Sequence, residues 1–160
     1  MSNLREPSER VSPRARLMWT LGAGVQAVML CAALVFTSYV WHWFEMRWWV
    51  ALLAGLVIAV NVLVVPQWRY RVHRWEVTDT AVYTQTGWWT RERRIAPMSR
   101  IQTVDYAEGA VARLFGLASV TVTTASAAGA LEIEGLDRLR ARQLTDELTV
   151  SAASVEGDAT

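Results

Sequence analysis

Residues 17–40 read LMWTLGAGVQAVMLCAALVFTSYV and contain no charged side chain. A helix needs about 20 apolar residues to cross a hydrocarbon core of about 30 Å, so this run is long enough to span a membrane. A second uncharged run, residues 48–65 with the sequence WWVALLAGLVIAVNVLVV, stops at Pro66. Both runs are apolar around the whole helix, and the first exceeds the roughly 7–15 apolar residues of a cleaved signal peptide. They predict a transmembrane hairpin over residues 17–65.

The distribution of arginine predicts how this hairpin is oriented. Arginine precedes the first run at Arg5, Arg10, Arg14 and Arg16 and follows the second at Arg69, Arg71 and Arg74. The connection between the runs holds only Arg47, which is opposed by Glu45. Positive residues concentrate in cytoplasmic loops, so both termini are expected in the cytoplasm, with residues 1–16 as a cytoplasmic N-terminal segment.

Tryptophan is abundant, with 9 residues, and its placement is informative. Most positions lie near the ends of the predicted spans: Trp19, Trp41, Trp43, Trp48, Trp49 and Trp68. Indole rings prefer the headgroup level of a bilayer, which favours an interfacial aromatic belt. The alternative interpretation of this cluster is a ligand-binding aromatic box.

Small residues recur at every fourth position of the second run, at Ala51, Gly55 and Ala59. This spacing places them on one helix face, where another helix can approach closely. We expect this helix-packing face to contact either the first span, through Ala23 and Ala27, or a partner protein.

After Pro66 the hydrophobic pattern changes from continuous to alternating, which predicts β-strands. The predicted strands cover residues 68–78, 81–86, 90–96, 118–124 and 130–134. A short helical turn is predicted at residues 111–115. A last helix is predicted at residues 138–148, with Asp137 as its N-cap.

These elements predict a mainly β domain over residues 66–148, a curved antiparallel sheet or partial barrel closed by the C-terminal helix. The expected core positions are Val120, Val122, Leu131 and Ile133 in strands and Leu139, Ala141, Leu144 and Leu148 in the helix. Ile101 shares a face with Val104 if that segment is helical and with Thr103 if it is a strand. The small, polar residues 149–160 are predicted to be a disordered tail.

The segment from residue 93 to residue 124, RRIAPMSRIQTVDYAEGAVARLFGLASVTVTT, resembles the bacterial pleckstrin-homology-like (PH) domains. That family combines a basic strand, a proline, an Arg-Ile-Gln-x-Val motif, a short helix with Leu-Phe/Leu-Gly-Leu-Ala, and a Val/Thr strand. These features fall on Arg94, Pro97, Arg100, Ile101, Gln102, Val104, Leu114, Phe115, Gly116, Leu117 and Ala118. The preceding hairpin is similar to that of the YdbS-like membrane subgroup.

The resemblance implies a PH-like fold and a multi-pass protein of a bacterial inner (cell) membrane. It also implies a partner that carries further copies of the same domain. The fold hosts many unrelated functions, so eukaryotic phosphoinositide binding does not carry over to this chain.

Catalytic and metal-binding constellations are not apparent in the sequence. His42 is predicted outside the membrane and His73 beside it, and the single Cys31 lies within the first span. No Cys/His spacing suits zinc, and no phosphate-cradling loop is present. The only amides within the spans, Gln26 and Asn61, are uncharged and suggest no proton or ion path. We therefore expect no enzyme activity, cofactor or metal.

The strongest surface feature is a basic cluster next to a tryptophan pair. Arg91, Arg93 and Arg94 share one predicted strand, Arg100 follows it, and Trp88 and Trp89 precede it at a hairpin tip. These are the candidate residues for binding lipid or a partner, since each basic residue near an anionic leaflet contributes about 1 kcal/mol. The alternative is a solvated strand and a tryptophan that caps the barrel.

Two functional hypotheses remain open from the sequence. In the first, the PH-like domain is a scaffold that assembles with itself or with a related PH-like membrane protein through a sheet edge or the small-residue face. In the second, the basic cluster and tryptophan pair recognise anionic headgroups at the inner leaflet. With 16 basic and 15 acidic residues the chain is nearly neutral, and nucleic acid is not expected as a partner.

Overall fold

The computed structural model describes residues 6–40, 48–87, 90–125 and 129–157. Its helical elements are α1 (Arg14–Val40), α2 (Trp48–Ala59), a π-helical turn (Val60–Val64), α3 (Val65–Val72), a 3-10 turn (Met98–Arg100), α4 (Ala110–Leu114) and α5 (Arg138–Gly157). Its strands are β1 (Glu9–Arg10), β2 (Arg74–Val77), β3 (Ala81–Thr86), β4 (Glu92–Pro97), β5 (Ile101–Ala107), β6 (Leu117–Thr124) and β7 (Leu131–Asp137).

Two long apolar helices follow β1, as the uncharged runs predict. The segments Arg14–Tyr39 and Trp48–Val72 are each long and apolar enough to cross a membrane, and neither apolar stretch is buried within the protein. The first helix packs mainly on the π-helical turn and α3, rather than along α2. The hairpin is therefore closest where it meets the β domain.

The second long helix continues past Pro66, contrary to the prediction that the run stops there. A proline inside an α-helix lacks the N–H that the helix needs and crowds the preceding turn. The π-helical turn just before Pro66 is wider, and in it the Val65 N–H reaches back to the Val60 carbonyl. Such a turn accommodates the proline without ending the helix.

The predicted strand at residues 68–78 is consequently half wrong. Residues 68–72 belong to α3, and the strand β2 begins only at Arg74. Trp68 to Val72 alternates large and basic residues, a pattern that also fits a short helix with one buried side. Pro66 and Val72 are the buried residues of α3.

The N-terminal segment is part of the β domain, which the sequence did not indicate. β1 pairs antiparallel with β2, so that Glu9 lies opposite Trp75. The Ser12 N–H then donates to the Gly135 carbonyl on β7 across 2.9 Å. Residues 9–12 thus join the two sheets, and the whole hairpin is inserted between the first and second strands of the domain.

Seven strands form two antiparallel sheets in the described part of the chain, in the orders β1-β2-β3-β4 and β5-β6-β7. α5 packs against β5, β6, β7 and the 3-10 turn, so the predicted closing helix is confirmed. The expected core positions Val120, Val122, Leu131, Ile133, Ala141, Leu144 and Leu148 are all buried. Leu139 was wrongly assigned to the core, because the start of α5 turns it outward and leaves it 74% exposed.

A β-bulge decides between the two interpretations of Ile101. The segment is a strand, β5, but its register against β6 shifts between Ile101 and Thr103. The extra residue places Ile101 and Val104 on the same side, where both pack on the core. An inserted residue of this kind reverses the alternation of a strand.

α5 also extends further than predicted. It runs to Gly157, so residues 149–157 are helical and not a disordered tail. Residues 158–160 lie outside the described part of the chain.

Candidate functional site

The predicted basic cluster lies at β4, an outer strand of the first sheet. A carboxylate oxygen of Glu6 lies 3.5 Å from Arg91 Nη1 and 3.4 Å from Arg93 Nη2. Arg93 Nε also donates to the Gln85 side-chain oxygen across 2.9 Å. The N-terminal segment therefore supplies a negative charge to two of the predicted lipid-binding arginines.

Arg94 is also engaged within the protein. Its Nη2 lies 2.7 Å from a carboxylate oxygen of Glu92, and its Nη1 donates to the Ala130 carbonyl across 3.2 Å. Exposed ion pairs of this kind contribute little stability. They do reduce the positive potential that this strand presents to an anionic surface.

The other predicted members of the cluster are separated from it or lie outside the described residues. Arg100 is exposed in the 3-10 turn, at the opposite end of β4 from Arg91. Trp88 and Trp89 fall between the described ranges. The structure thus brings Arg91 and Arg93 together at Glu6. Arg94 has other partners, Glu92 and Ala130, because consecutive strand residues point to opposite faces. Arg100 lies apart from all three.

The helix-packing face of the second span is open. Ala51, Gly55 and Ala59 are all exposed, and a Cβ added to Gly55 meets no atom within 4 Å. α1 packs mainly on the π-helical turn and α3 rather than along α2. Asn61 likewise donates to the Val57 carbonyl of its own helix across 3.2 Å, rather than to a neighbouring helix.

A charged and aromatic cluster joins the two helices to the β domain. Arg69 of α3 forms an ion pair with Glu134 of β7, and its guanidinium carbon lies 4.4 Å from the ring centroid of Trp19 in α1. Both contacts favour the charged guanidinium. We call Trp19, Arg69, His73, Glu132 and Glu134 the junction cluster.

His73 follows α3 directly and is 4% exposed. Its ring centroid lies 5.9 Å from that of Trp19, and its backbone N–H donates to the Arg69 carbonyl. Burial first, and the nearby Arg69 charge second, lower the pKa of His73 to about 4. The imidazole is therefore neutral at physiological pH.

Two cavities meet at the junction cluster. One of about 490 Å³ lies among α1, the second long helix, α4 and strands β6 and β7. The other, of about 570 Å³, lies between α3, the strands β3 and β4, and β7. Val65, Arg69, Glu132 and Glu134 line both cavities. Their volumes fall in the usual range of small-ligand sites.

Negative charge exceeds positive charge at the boundary between these cavities. Arg69 is paired with Glu134, whereas Glu132 is exposed to solvent. Burial and the neighbouring Glu134 carboxylate raise the pKa of Glu132, and Arg69 opposes them. Desolvation is the larger of the two causes, because it disfavours the charged form of a carboxyl group.

α4 presents apolar side chains beside the first long helix. Leu114 is 81% exposed, and Val111 is also exposed. Phe115 lies next to Leu17 and Leu21 of α1 in an open apolar crevice. These side chains form an exposed apolar surface beside the first long helix.

Chemistry that requires a metal finds no support among the described residues. No group of three or more His, Cys, Asp or Glu side chains is placed to hold an ion within these ranges. Glu108 is the most connected carboxylate, with Arg113, Arg138 and Arg142 nearby and a hydrogen bond from Tyr106. That bond is the main reason that the pKa of Glu108 is lowered.

Comparison with known proteins places this architecture in a family. The profile of the Bacterial PH domain matches residues 15–151, which include both long helices and almost all of the β domain. This chain belongs to the bacterial PH domain family. The UPF0699 transmembrane protein YdbS of Bacillus subtilis (strain 168) is 31% identical over 145 residues, covering 84% of this chain and 89% of that protein. No solved structure matches.

The family membership agrees with the resemblance carried by residues 93–124. This bacterial PH protein is thus a YdbS-like membrane protein with a helical hairpin and a PH-like domain. Neither the family nor the relative's name indicates a catalysed reaction.

Sequence reasoning missed the junction cluster. Its members are distant in sequence, from Trp19 to Glu134, and each has an ordinary local explanation as a belt tryptophan, a topogenic arginine or a surface acid. One signal in the sequence pointed to it. Glu132 and Glu134 alternate with inward-facing residues, so the two carboxylates lie on the same face of a strand and favour a cation nearby. Only the insertion of the hairpin between β1 and β2 brings Arg69 to them.

Proposed function

We propose that this bacterial PH protein is a non-enzymatic assembly module of the cell membrane that binds a second copy of the same chain. The binding surfaces are the open face of the second span and the outer edge of β4. The PH-like domain then serves as a scaffold on the cytoplasmic side.

The proposed orientation places both termini in the cytoplasm and makes the protein multi-pass. β1 and β2 belong to one sheet, so the chain must leave and re-enter on the same side of a bilayer. Arginines flank both ends of the hairpin at that side, for example Arg14, Arg16 and Arg71. The positive-inside bias supports the cytoplasm as that side.

The unfilled face at Gly55 is the observation that carries the proposal. Small-residue faces in membranes bind other helices through close backbone contact, and α1 of the same chain packs elsewhere. The partner of an uncharged face inside a bilayer is another spanning helix, and a second copy of the chain supplies an identical one. β4 adds an independent surface, since among the described residues it has a sheet neighbour on one side only.

Filling this face tests the proposal without disturbing the monomer. Gly55 is exposed, and a Cβ added there meets no atom within 4 Å. We therefore expect Gly55→Leu to leave the fold intact while blocking close helix approach. We expect native mass spectrometry of the full-length protein from mild detergent to find dimers of the wild type and monomers of Gly55→Leu. Ala33→Leu is the matched control, because it adds the same side chain to an exposed position of the first span.

The recognition of anionic lipid through Arg91, Arg93 and Arg94 is the competing function. Their pairing with Glu6 and Glu92 disfavours it. If lipid recognition is the function, charge reversal at the three arginines should remove the co-purified anionic lipid. Gly55→Leu should then have the same oligomeric state as the wild type. If the spectra instead contain a related PH-like membrane protein bound to this chain, the scaffold function stands, but the partner is that protein and not a second copy.

A further inference from the structure

We propose that α4 is a third membrane-contacting element of this protein, in addition to the two spans. Val111 and Leu114 lie among the outer acyl carbons of the leaflet beside the domain, and the arginines around Glu108 lie at the anionic headgroups of that leaflet. This contact holds the domain at one tilt against the bilayer. The proposal uses neither Gly55 nor β4, so it does not rest on the assembly function.

The short helix α4 has apolar residues on both of its sides. Ala112 and Phe115, at the end of the helix, pack against the core of the domain. Val111 and Leu114 are likewise three residues apart and share a face, but both are exposed. A helix on a water-exposed surface normally has polar residues on the side away from the core. The apolar outer face of α4 therefore indicates an apolar partner.

The level of α4 along the two spans indicates what that partner is. Val111 lines a cavity together with Gln26 of the first uncharged run and Asn61 of the second. Phe115 lies in an open crevice beside Leu17, where the first run begins. α4 thus lies beside the ends of both runs that meet the domain, and not beyond them in the water.

The crevice at Phe115 is continuous with the lipid-facing surface of the first span. It extends along α1 to Val25 and Met29, which are exposed and belong to the uncharged run. That run is about 36 Å long at the usual helix rise, and a hydrocarbon core is about 30 Å thick. Its first turn therefore lies at the boundary between headgroups and acyl chains. The lipid that surrounds the span reaches α4 along this crevice.

Basic side chains lie next to this apolar face. The carboxylate of Glu108 is shared by Arg113 at 3.9 Å, Arg138 at 3.2 Å and Arg142 at 3.6 Å. The side chains of Arg113 and Arg142 are 69% and 60% exposed. Asp146, one turn further along α5, offsets at most one more charge, so positive charge remains in excess. An apolar face with a basic rim is the pattern of elements that lie in the interface of an anionic membrane.

Backbone hydrogen bonds fix α4 to the rest of the domain. The Gly116 N–H donates to the Arg113 carbonyl, and the Arg138 N–H donates to the Gly116 carbonyl across 3.1 Å. The end of α4 is thereby tied to the start of α5, which packs on β5 and β6. A contact between α4 and the bilayer consequently orients the whole domain.

The test measures the depth of α4 in the full-length protein. A nitroxide spin label is placed on Leu114→Cys in a Cys31→Ser background, and the protein is reconstituted into nanodiscs with equal amounts of phosphatidylcholine and phosphatidylglycerol. Power-saturation EPR compares collisions of the label with oxygen, which concentrates among acyl chains, and with a water-soluble nickel chelate. We expect oxygen to dominate at Leu114 and nickel to dominate at the control Val150→Cys, which is also an exposed apolar residue.

A second comparison tests the basic rim. In nanodiscs of phosphatidylcholine alone, the label on Leu114→Cys should lie less deep than in the mixture with phosphatidylglycerol. Combining it with Arg113→Gln and Arg142→Gln should abolish this shift, whereas Arg100→Gln, at an exposed arginine outside the cluster, should preserve it. An unchanged unfolding temperature in detergent shows that these exposed substitutions leave the fold intact.

Several outcomes would overturn the proposal. Dominant nickel collisions at Leu114 would place α4 in water, and equal oxygen preference at Leu114 and Val150 would mean that α4 is not the contacting face. Few collisions with either reagent, together with spin–spin broadening, would show that a second copy covers α4. A depth that does not respond to phosphatidylglycerol would remove the role of the arginines. Repeating the measurement in Gly55→Leu, where the same depth is expected, separates this contact from the assembly function.

Discussion

The guanidinium carbon of Arg69 lies 4.4 Å from the ring centroid of Trp19, and the same guanidinium pairs with Glu134. One side chain therefore links the first span, the end of the second span and the last strand of the β domain. A second link lies close by, where the Arg16 guanidinium carbon lies 4.8 Å from the ring centroid of Tyr70. The hairpin and the domain are consequently held by side chains as well as by the chain itself.

Arg69→Gln is expected to loosen this junction. The change removes the ion pair with Glu134 and the cation–π contact with Trp19. Both partners are partly exposed, so we expect a loss of about 1–2 kcal/mol. Thermal unfolding of the purified protein in detergent measures it. Arg71→Gln, at an exposed position of the same helix, should change little, and equal effects of the two variants would contradict the role of Arg69.

Gly135→Ala tests the close approach of α1 to β7. Gly135 has a φ of +75°, and an added Cβ would lie 2.7 Å from the Cβ of Ala15. Gly129 has a similar φ of +80°, but nothing lies within 4 Å of an added Cβ. The left-handed conformation alone costs alanine about 1–2 kcal/mol, so Gly129→Ala should show only that cost.

We expect Gly135→Ala to lower the unfolding temperature clearly more than Gly129→Ala does, because α1 or β7 must also shift. Thermal denaturation followed by circular dichroism compares the two variants. If they are equally destabilised, the first span does not pack against β7 as the structure indicates.

The buried His73 should make stability depend on pH. Its pKa is about 4 in the folded protein and about 6.5 when unfolded, so the unfolded state binds more protons between these values. Stability is therefore lost as the pH falls from 6.5 towards 4. At pH 5 the loss from this group is about 2 kcal/mol relative to pH 7.5.

Comparing wild type with His73→Gln isolates this contribution. The variant cannot titrate at this position, so its unfolding temperature should fall less between pH 7.5 and pH 5 than that of the wild type. Identical pH profiles would mean that the imidazole is solvated or already charged in the folded protein.

Leu114 of α4 is expected to lie in the bilayer interface. The variant Leu114→Cys, made in a Cys31→Ser background, is labelled with an environment-sensitive fluorophore. In nanodiscs the label should emit at shorter wavelength than the same fluorophore free in buffer. Val150→Cys is the control, since it is 70% exposed on α5, a helix that packs mainly on β5, β6 and the 3-10 turn. Similar emission from the two sites would place α4 in water.

Much of this protein was predictable from local patterns. The two uncharged runs predicted both long helices because hydrophobicity and length suffice to define a span. Strict alternation located β6 and β7 with their inward residues, and the motif around Arg100–Ala118 indicated the family. The ends of the elements were predicted less well. The second long helix continues past Pro66, Leu139 at the start of α5 is exposed, and residues 149–157 are helical.

The candidate sites were only partly predictable. The sequence pointed to Arg91, Arg93 and Arg94 as a basic surface, but it could not reveal that Glu6, which is distant along the chain, lies beside two of them. It identified the small-residue face at Gly55, but not whether the first span would cover it.

By itself, then, the sequence determined what depends on composition and short-range periodicity: the apolar spans, their flanking charges and the alternating strands. Tertiary structure decided which distant segments meet. The pairing of β1 with β2 holds both ends of the hairpin at the β domain. It thereby brings together the junction cluster: Trp19, Arg69, His73, Glu132 and Glu134. No local pattern specifies that pairing, because a two-residue strand carries almost no periodic signal. The residues that follow it, Val11, Ala15 and Trp19, are buried in a core formed by the rest of the chain.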